Sequence, residues 1–239
     1  IYRVSPATGS SLGSVIAIPG SGKNGVAGLV GWLDDYHRSA ALELADAGYT
    51  VYVPETFGVR ERAIDVAWLA DHGVTSVVAL GQYGVETGQL LSSVFIGDLL
   101  SVVEYVKADN GPQSGIATFG ISRGGRLAYW VAALHPDVSA VVIASGISDH
   151  ENYSWTGFGQ VLIPCSLRYF NCSDIAAAIA PRPMLIAYGG SSENQVYWAE
   201  SVTLTTYNRV RQVYELLGVP QNIRASVHDE GHTWDREAT

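Results

Sequence analysis

Cysteine is scarce in this sequence, which contains only Cys165 and Cys172. Two cysteines are too few for a fold held by several disulfides, and no further cysteine accompanies them to suggest a structural zinc site. They lie seven positions apart, so the pair can close a small loop. We therefore expect a disulfide bond, with two reduced thiols as the alternative, and a disulfide favours an oxidising compartment.

Positive charge is also scarce. The chain has 14 Lys and Arg against 23 Asp and Glu, a net charge of −9, and its only lysines are Lys23 and Lys107. Proteins that bind nucleic acid present a basic face to the phosphates, and none is visible here. The acidic balance also disfavours docking on anionic lipids and is typical of a protein kept in solution by its charge.

Long apolar runs and linkers are missing as well. No apolar stretch reaches the roughly 18–20 residues that a membrane helix needs. No charge run or Pro/Gly/Ser-rich segment divides residues 1–239, so we expect a single domain. The chain opens at Ile1 rather than Met, which suggests a processed form. We expect a secreted or periplasmic protein, with a cytoplasmic location as the alternative.

What the sequence does contain is a regular alternation of strand and helix patterns. Short β-branched stretches, apolar on both faces, are typical of strands in a buried parallel sheet. The predicted strands are Ser14–Ile18, Tyr49–Val53, Gly115–Phe119, Ser139–Ala144, Pro183–Tyr188 and Asn222–Val227.

Apolar residues at three- and four-residue spacing predict helices between these strands. The predicted helices are Gly88–Lys107, Gly124–His135 and a last long helix from Trp198 to Leu217, ended by Gly218 and Pro220. Such alternation predicts an α/β fold, a doubly wound and mostly parallel sheet with helices on both faces. In these folds ligands bind at the carboxyl ends of the strands, so we looked for chemistry there.

The segment after the third predicted strand reads Gly120-Ile121-Ser122-Arg123-Gly124. This G-x-S-x-G pattern stands directly between a strand and a helix, where a sharp turn projects the serine hydroxyl at the sheet edge. The glycines two positions before and after leave room for that turn. We therefore predict that Ser122 is a nucleophile; an incidental serine in a Gly-rich turn is the alternative.

A serine nucleophile needs a base to take its proton. His228 and His232 both follow the last predicted strand, and we favour His232 because it lies on a loop behind Gly231. The remaining histidines have no comparable placement: His37, His72, His135 and His150.

A carboxylate should orient that histidine. Glu193 is the first acid after the strand Pro183–Tyr188, and Asp149, which follows the preceding strand, is its rival.

Acyl transfer also needs backbone donors for the negative charge that develops on the carbonyl oxygen. The N–H of Arg123, after the predicted nucleophile, is one candidate. The loop Pro19-Gly20-Ser21-Gly22 follows the first predicted strand, and its glycines permit close approach of the backbone. We predict that Ser21 supplies the second donor, with Gly22 as the next choice.

Together these residues resemble the α/β-hydrolase superfamily over about residues 14–235, and most closely its dienelactone-hydrolase and acetyl-xylan-esterase-like branch. The closer likeness is carried by three stretches: Phe57–Arg62, similar to a Gly-x-x-Arg turn; Ile179-Ala180-Pro181-Arg182-Pro183, similar to an Ala-Pro-Arg-Pro strand entry; and the loop His228–His232. The chain departs from the branch at Glu193, where Asp is usual, and at Pro19, where many relatives have His.

The resemblance implies hydrolysis of carboxylic esters through an acyl-enzyme on Ser122, without a metal or organic cofactor. It favours short acyl groups, including esters of carbohydrates, so the expected partner is a small-molecule or carbohydrate ester. Three alternatives share the fold: a thioesterase or dienelactone-type hydrolase, a peptidase of the prolyl-oligopeptidase kind, and a non-catalytic binding module.

Overall fold

A seven-stranded sheet organises the chain. The computed structural model describes residues 1–7, 9–64, 71, 76–110, 115–149, 163–194 and 198–235. The sheet order is β1-β3-β2-β4-β5-β6-β7. Only β1 is antiparallel to its neighbour, and β2 to β7 pair in parallel. The strands are β1 Tyr2–Val4, β2 Ser14–Ile18, β3 Thr50–Val53, β4 Ile116–Ile121, β5 Val138–Ala144, β6 Met184–Tyr188 and β7 Ile223–Val227.

The described helices pack on both faces of this sheet. They are α1 Val26–Leu29, α2 Ala40–Asp46, α3 Ser76–Thr87, α4 Leu91–Asn110, α5 Arg123–Leu134, α6 Cys172–Ala177 and α7 Glu200–Leu216. Alternate residues of β2 enter different cores, Ile16 and Ile18 on the face covered by α4 and α5, Val15 and Ala17 on the face covered by α1 and α2. The predicted doubly wound α/β fold is confirmed, with all six predicted strands.

Besides shifts of one to three residues at the ends of several elements, some features differ from the prediction. The edge strand β1 was not expected, and its three residues are too short to show a two-residue period. The helix predicted from Gly88 begins at Leu91, because Gly88 has φ +75° and follows the end of α3. The last helix begins at Glu200 rather than Trp198, which leaves the Trp198 side chain outside the helix.

The predicted disulfide is wrong, because both cysteines are free. Cys165 is exposed and precedes a short turn, Ser166–Arg168. Cys172 is buried at the start of α6, where its Sγ accepts a hydrogen bond from Arg126 Nη2 at 3.2 Å. The expected secretion depended partly on this bridge and remains a prediction.

No single described helix has the length and apolar character needed to cross a membrane. The pair α3 and α4 passes that test only when the two are taken together, and the chain bends by 107° between them.

Candidate active site

Ser122 lies in the tight turn that joins β4 to α5. Its backbone has φ 61° and ψ −127°, a region that residues with a side chain rarely adopt and that costs energy. The Ser122 N–H donates to the Ala144 carbonyl at 2.8 Å, and the Arg126 N–H donates to the Ser122 carbonyl at 3.1 Å. These bonds hold the strained turn and direct the serine side chain to the carboxyl edge of the sheet.

The two flanking glycines are required by close backbone contacts. A Cβ at Gly120 would overlap the Gly124 carbonyl group, and a Cβ at Gly124 would overlap the Ile18 carbonyl oxygen. Helix α5 therefore starts against the ends of β2 and β4, which any larger residue would prevent. This contact explains the spacing of the G-x-S-x-G pattern in physical terms.

His232 and Glu193 lie together at the same edge. The His232 Nδ1 is 3.0 Å from Glu193 Oε2, the Glu193 side chain is fully buried, and that of His232 is 13% exposed. Their loops approach closely because Gly189 faces Gly231, where a Cβ on Gly189 would overlap the Gly231 carbonyl. A carboxylate at Nδ1 leaves Nε2 as the nitrogen available for proton transfer.

Two aromatic rings flank the His232 imidazole. The Trp198 ring is parallel to it within 4°, with centroids 5.0 Å apart. The Tyr36 ring lies 5.6 Å from it, at an interplanar angle of 33°. These contacts and the bond to Glu193 determine the plane and the direction of the imidazole.

Asp149, the rival acid, forms its hydrogen bond and its ion pair with residues other than His232. Its Oδ1 accepts the Ser173 N–H at 2.8 Å, and its Oδ2 forms an ion pair with Arg209 Nη1. It thereby joins the start of α6 to α7. The geometry favours Glu193 over Asp149 as the partner of His232.

His228, the rival base, is held at the end of β7. Its N–H donates to the Tyr188 carbonyl at 3.1 Å, and its Nδ1 accepts the Glu230 N–H at 3.3 Å. Burial lowers the pKa of its imidazole, opposed by the carboxylates of Asp235 and Glu193. These contacts indicate that His228 packs within the loop and favour His232 as the base.

The loop Pro19–Gly22 is held by hydrogen bonds on both sides of Ser21. The Gly20 N–H donates to His37 Nε2 at 2.9 Å, and the Gly22 N–H donates to the Tyr36 hydroxyl at 3.1 Å. Ser21 is exposed between them, and its N–H has no acceptor within the described part of the chain. Of the two predicted donors in this loop, Ser21 is the one left available.

Arg123 connects the same loop to the start of α5. Its buried guanidinium donates through Nη2 to the Gly20 carbonyl and to Thr56 Oγ1, both at 3.1 Å, and lies over the Phe95 ring at 5.0 Å. Its backbone N–H is the first of α5, at a position where helix amides have no intrahelical acceptor. The charged side chain therefore fixes the loop, while the backbone amide lies at the N-terminus of α5.

A buried imidazole supports the loop from below. His37 Nε2 accepts the Gly20 N–H, so its proton lies on Nδ1, which donates to Asp35 Oδ1 at 2.8 Å. Although burial opposes the charged form, the hydrogen bonds from His37 lower the pKa of Asp35. His37 acts here as a neutral acceptor for a backbone amide.

Ser122 and His232 both contact Tyr36. The Ser122 side chain is hydrogen-bonded to the Tyr36 hydroxyl. Among the described residues no direct bond joins Ser122 to His232, but both contact Tyr36. In free enzymes the bonds used in catalysis are often long and tighten only when substrate is present.

The sequence provided little signal for Tyr36, His37 and Trp198. His37 follows no strand, and its place beneath the loop Pro19–Gly22 depends on how the segment after α1 folds back. Trp198 fits the apolar spacing of the last predicted helix, a pattern that indicates a residue packed on the sheet. The run Asp35-Tyr36-His37, with acid, phenol and imidazole in one short loop, was the only available cue.

One group of side chains in the described residues has metal-ligand chemistry: Glu104, His135 and Asp137. It lies at the far end of α5 from Ser122, about 18 Å away for a twelve-residue helix. Lys107 Nζ lies 3.1 Å from Glu104 Oε1 and also pairs with Asp137. The cluster is therefore separate from the candidate active site, and the Lys107 ammonium group offsets part of its negative charge.

Comparison with known proteins places this geometry in context. No protein-family model matches the chain. The chain is 33% identical over 164 residues to YtaP of Bacillus subtilis, a protein assigned as a hydrolase, and the match covers 65% of this chain and 51% of YtaP. The matched region is thus about half the length of that relative.

Solved structures with the same architecture are numerous. A Bacteroides fragilis protein assigned as an acetyl xylan esterase matches 95% of this chain and 62% of its own, with TM-score 0.72 and 20% identity. Est1E from Butyrivibrio proteoclasticus, solved with ferulic acid bound, matches 99% and 88%, with TM-score 0.62 and 15% identity. The chain therefore has the α/β-hydrolase fold.

Proposed function

We propose that this protein is a carboxylic ester hydrolase that works through an acyl-enzyme on Ser122. The observation that carries the proposal is the pairing of His232 Nδ1 with the fully buried Glu193 carboxylate at 3.0 Å. This His232–Glu193 pair lies at the same edge of the sheet as Ser122, which occupies a strained strand–helix turn. A hydroxyl, an imidazole and an orienting carboxylate are the parts that acyl transfer to serine needs.

Each residue has a distinct role in the proposed reaction. Ser122 Oγ attacks the ester carbonyl, and its proton passes to His232 Nε2. The proton then passes to the leaving alcohol. Water, activated by His232, releases the acid in the second step. Glu193 keeps the imidazole in the tautomer that accepts at Nε2 and stabilises its charged form.

The backbone amides of Ser21 and Arg123 are the proposed donors to the oxyanion. Ser21 N–H lacks an acceptor in the described residues, and Arg123 N–H starts α5 beside Ser122. Removal of one such donor typically costs about 10²- to 10³-fold in turnover. The bonds from His37 and Tyr36 to the neighbouring glycines hold the loop in place before substrate arrives.

Short acyl esters, including acetylated carbohydrates, are the proposed substrates. Support comes from the likeness in fold to a protein assigned as an acetyl xylan esterase. Ser122 is only 3% exposed, which favours small acyl groups over bulky ones in the described geometry.

Hydrolysis of p-nitrophenyl acetate, butyrate and octanoate by the wild type, Ser122→Ala and Ser139→Ala tests the proposal. Ser139 is a matched control because its hydroxyl donates to the Ile116 carbonyl at the amino end of the sheet. We expect activity in the wild type and Ser139→Ala, its loss in Ser122→Ala, and fastest turnover on acetate. Equal activity in all three proteins would refute Ser122 as the nucleophile. Inactivity on every ester would move the assignment to a thioester or dienelactone substrate, assayed next.

A further inference from the structure

Tyr36 contacts three parts of the candidate active site. Its hydroxyl accepts the Gly22 N–H at 3.1 Å and is hydrogen-bonded to the Ser122 side chain. Its ring lies 5.6 Å from the His232 imidazole. One phenol thus contacts the oxyanion loop, the proposed nucleophile and the proposed base.

The backbone of Tyr36 is fixed by the segment that follows His232. The Tyr36 carbonyl accepts the Thr233 hydroxyl at 2.9 Å and the Trp234 N–H at 3.0 Å. The ring is stacked on His37, with centroids 4.2 Å apart. These contacts hold the hydroxyl in one place, which is the condition for a preorganised donor.

The oxyanion loop is shaped to accept this ring. A Cβ on Gly20 would overlap the Tyr36 hydroxyl, and a Cβ on Gly22 would lie 2.8 Å from the ring carbon Cε1. Both glycines of the loop therefore make room for one side chain. A tyrosine whose purpose was to fill space elsewhere in the core would not need its hydroxyl at this position.

The hydrogen-bonding capacity of the phenol is only half used by the loop. A tyrosine hydroxyl accepts and also donates one hydrogen bond. The Gly22 N–H donates to the phenol oxygen. Burial raises the pKa of Tyr36, which keeps the hydroxyl protonated at neutral pH, whereas the hydrogen bond with Ser122 lowers this pKa, which is the effect of a bond donated to the phenol oxygen. The hydroxyl proton can therefore point into the space in front of Ser122.

We propose that the Tyr36 hydroxyl is a further catalytic group and donates the third hydrogen bond to the oxyanion, beside the Ser21 and Arg123 amides. This inference rests on the proposed ester hydrolysis. As Ser122 Oγ forms its bond to the carbonyl carbon, the π electron pair moves to the carbonyl oxygen and the serine proton moves to His232. Tyr36 keeps its own proton throughout and donates it in a hydrogen bond to the oxyanion.

The test compares Tyr36→Phe with Tyr52→Phe. Tyr52 is a matched control because its buried hydroxyl also has two partners, Asp109 and Asn110, which precede β4 at the opposite edge of the sheet. With p-nitrophenyl acetate, we expect Tyr36→Phe to lower kcat about 10²-fold with little change in KM, as for the loss of one oxyanion donor. We expect Tyr52→Phe to keep the wild-type kcat.

A boronic acid separates a donor from a structural role. Phenylboronic acid forms a tetrahedral adduct with a catalytic serine, so it reports on stabilisation of the transition state. We expect Tyr36→Phe to weaken its binding by about the same factor as it lowers kcat/KM. A lower kcat with unchanged boronic-acid binding assigns Tyr36 to structure alone and overturns the proposal, as does a Tyr36→Phe enzyme as active as Tyr52→Phe. If instead the wild type neither hydrolyses esters nor reacts with a fluorophosphonate, the proposed function fails and this role fails with it.

Discussion

The Trp198 indole lies parallel to the His232 imidazole, with centroids 5.0 Å apart and planes within 4°. Trp198 comes just before α7, whereas His232 comes after β7, so the contact joins two segments that are separate in sequence. The flat face of an indole restricts tilting of the imidazole, while the Nδ1 bond to Glu193 restricts its rotation. Stacking therefore complements the hydrogen bond in directing Nε2.

Replacement of Trp198 tests this role. We expect Trp198→Ala to lower kcat by roughly 10- to 100-fold, because small displacements of a catalytic group have effects of that size. Trp198→Phe, which keeps a flat ring, should recover most of the loss. Trp130→Ala is the control, since Trp130 packs against Phe170 and not against His232. Equal losses in both Ala variants would indicate a general packing defect.

The choice between two carboxylates is tested with isosteric amides. Glu193→Gln cannot stabilise the imidazolium and should lower kcat by about 10³- to 10⁴-fold, as expected for the orienting acid of such a triad. Asp149→Asn keeps an acceptor for the Ser173 N–H but loses the ion pair with Arg209. It should leave turnover near the wild-type value and lower the free energy of unfolding by about 1–3 kcal/mol. The reverse pattern would transfer the catalytic role to Asp149.

Two glycine-to-alanine variants test why Ser122 lies in a strained turn. Gly124→Ala places a Cβ on the Ile18 carbonyl oxygen. We therefore expect the free energy of unfolding to fall by about 3 kcal/mol or more and the esterase activity to be lost. Gly97 lies exposed inside α4 with nothing near its added Cβ. Gly97→Ala should stabilise the helix by about 0.5–1 kcal/mol, which raises the melting temperature by about 1–4 °C. A tolerated Gly124→Ala would show that the turn can open.

The cysteines should differ in reactivity. Cys165 is exposed, whereas Cys172 is buried and its pKa is raised by burial, and thiolates are the reactive form. Without a reductant, iodoacetamide should add one label to the folded protein, at Cys165, and a second only in denaturant. Intact mass and peptide mapping measure both steps. A protein that takes no label in denaturant until it is reduced would restore the disulfide.

The strands and the serine turn were predictable because their signals are local. β2 to β6 are mostly apolar on both faces, and the glycines around Ser122 mark a close approach of backbones. The order Ser122, Glu193, His232 also follows from strand order alone. These features depend on short sequence segments and on the general rule that parallel strands end at one edge.

The features that escaped prediction depend on contacts between distant segments. Tyr36 meets Thr233 and Trp234, almost two hundred positions away in sequence, and no periodicity reports such a contact. Seven-residue spacing made a disulfide plausible for Cys165 and Cys172, but the start of α6 directs Cys172 towards Arg126. Local spacing shows what is possible, whereas packing decides which possibility is realised.

The low pKa of His228 predicts a dependence of stability on pH. Burial lowers this pKa in the fold, and the nearby charges of Asp235, Glu193, Glu230 and Arg38 modify the shift. The unfolded chain, with an imidazole pKa near 6.5, therefore binds the proton more tightly than the folded chain. Its Nδ1 also accepts the Glu230 N–H, a bond that is lost when Nδ1 is protonated.

Stability should consequently fall as the pH decreases through about 6.5 towards the lower folded pKa, and this contribution should be absent above that range. His228→Gln removes the titrating group, so its free energy of unfolding should change less between pH 8 and pH 5.5 than that of the wild type. Urea denaturation at the two pH values measures this change in each protein. The titration of other groups cancels when the change in the variant is subtracted from that in the wild type. The same variant should keep its esterase activity, whereas His232→Gln should lose it. If His228→Gln lost activity and His232→Gln kept it, His228 would be the base.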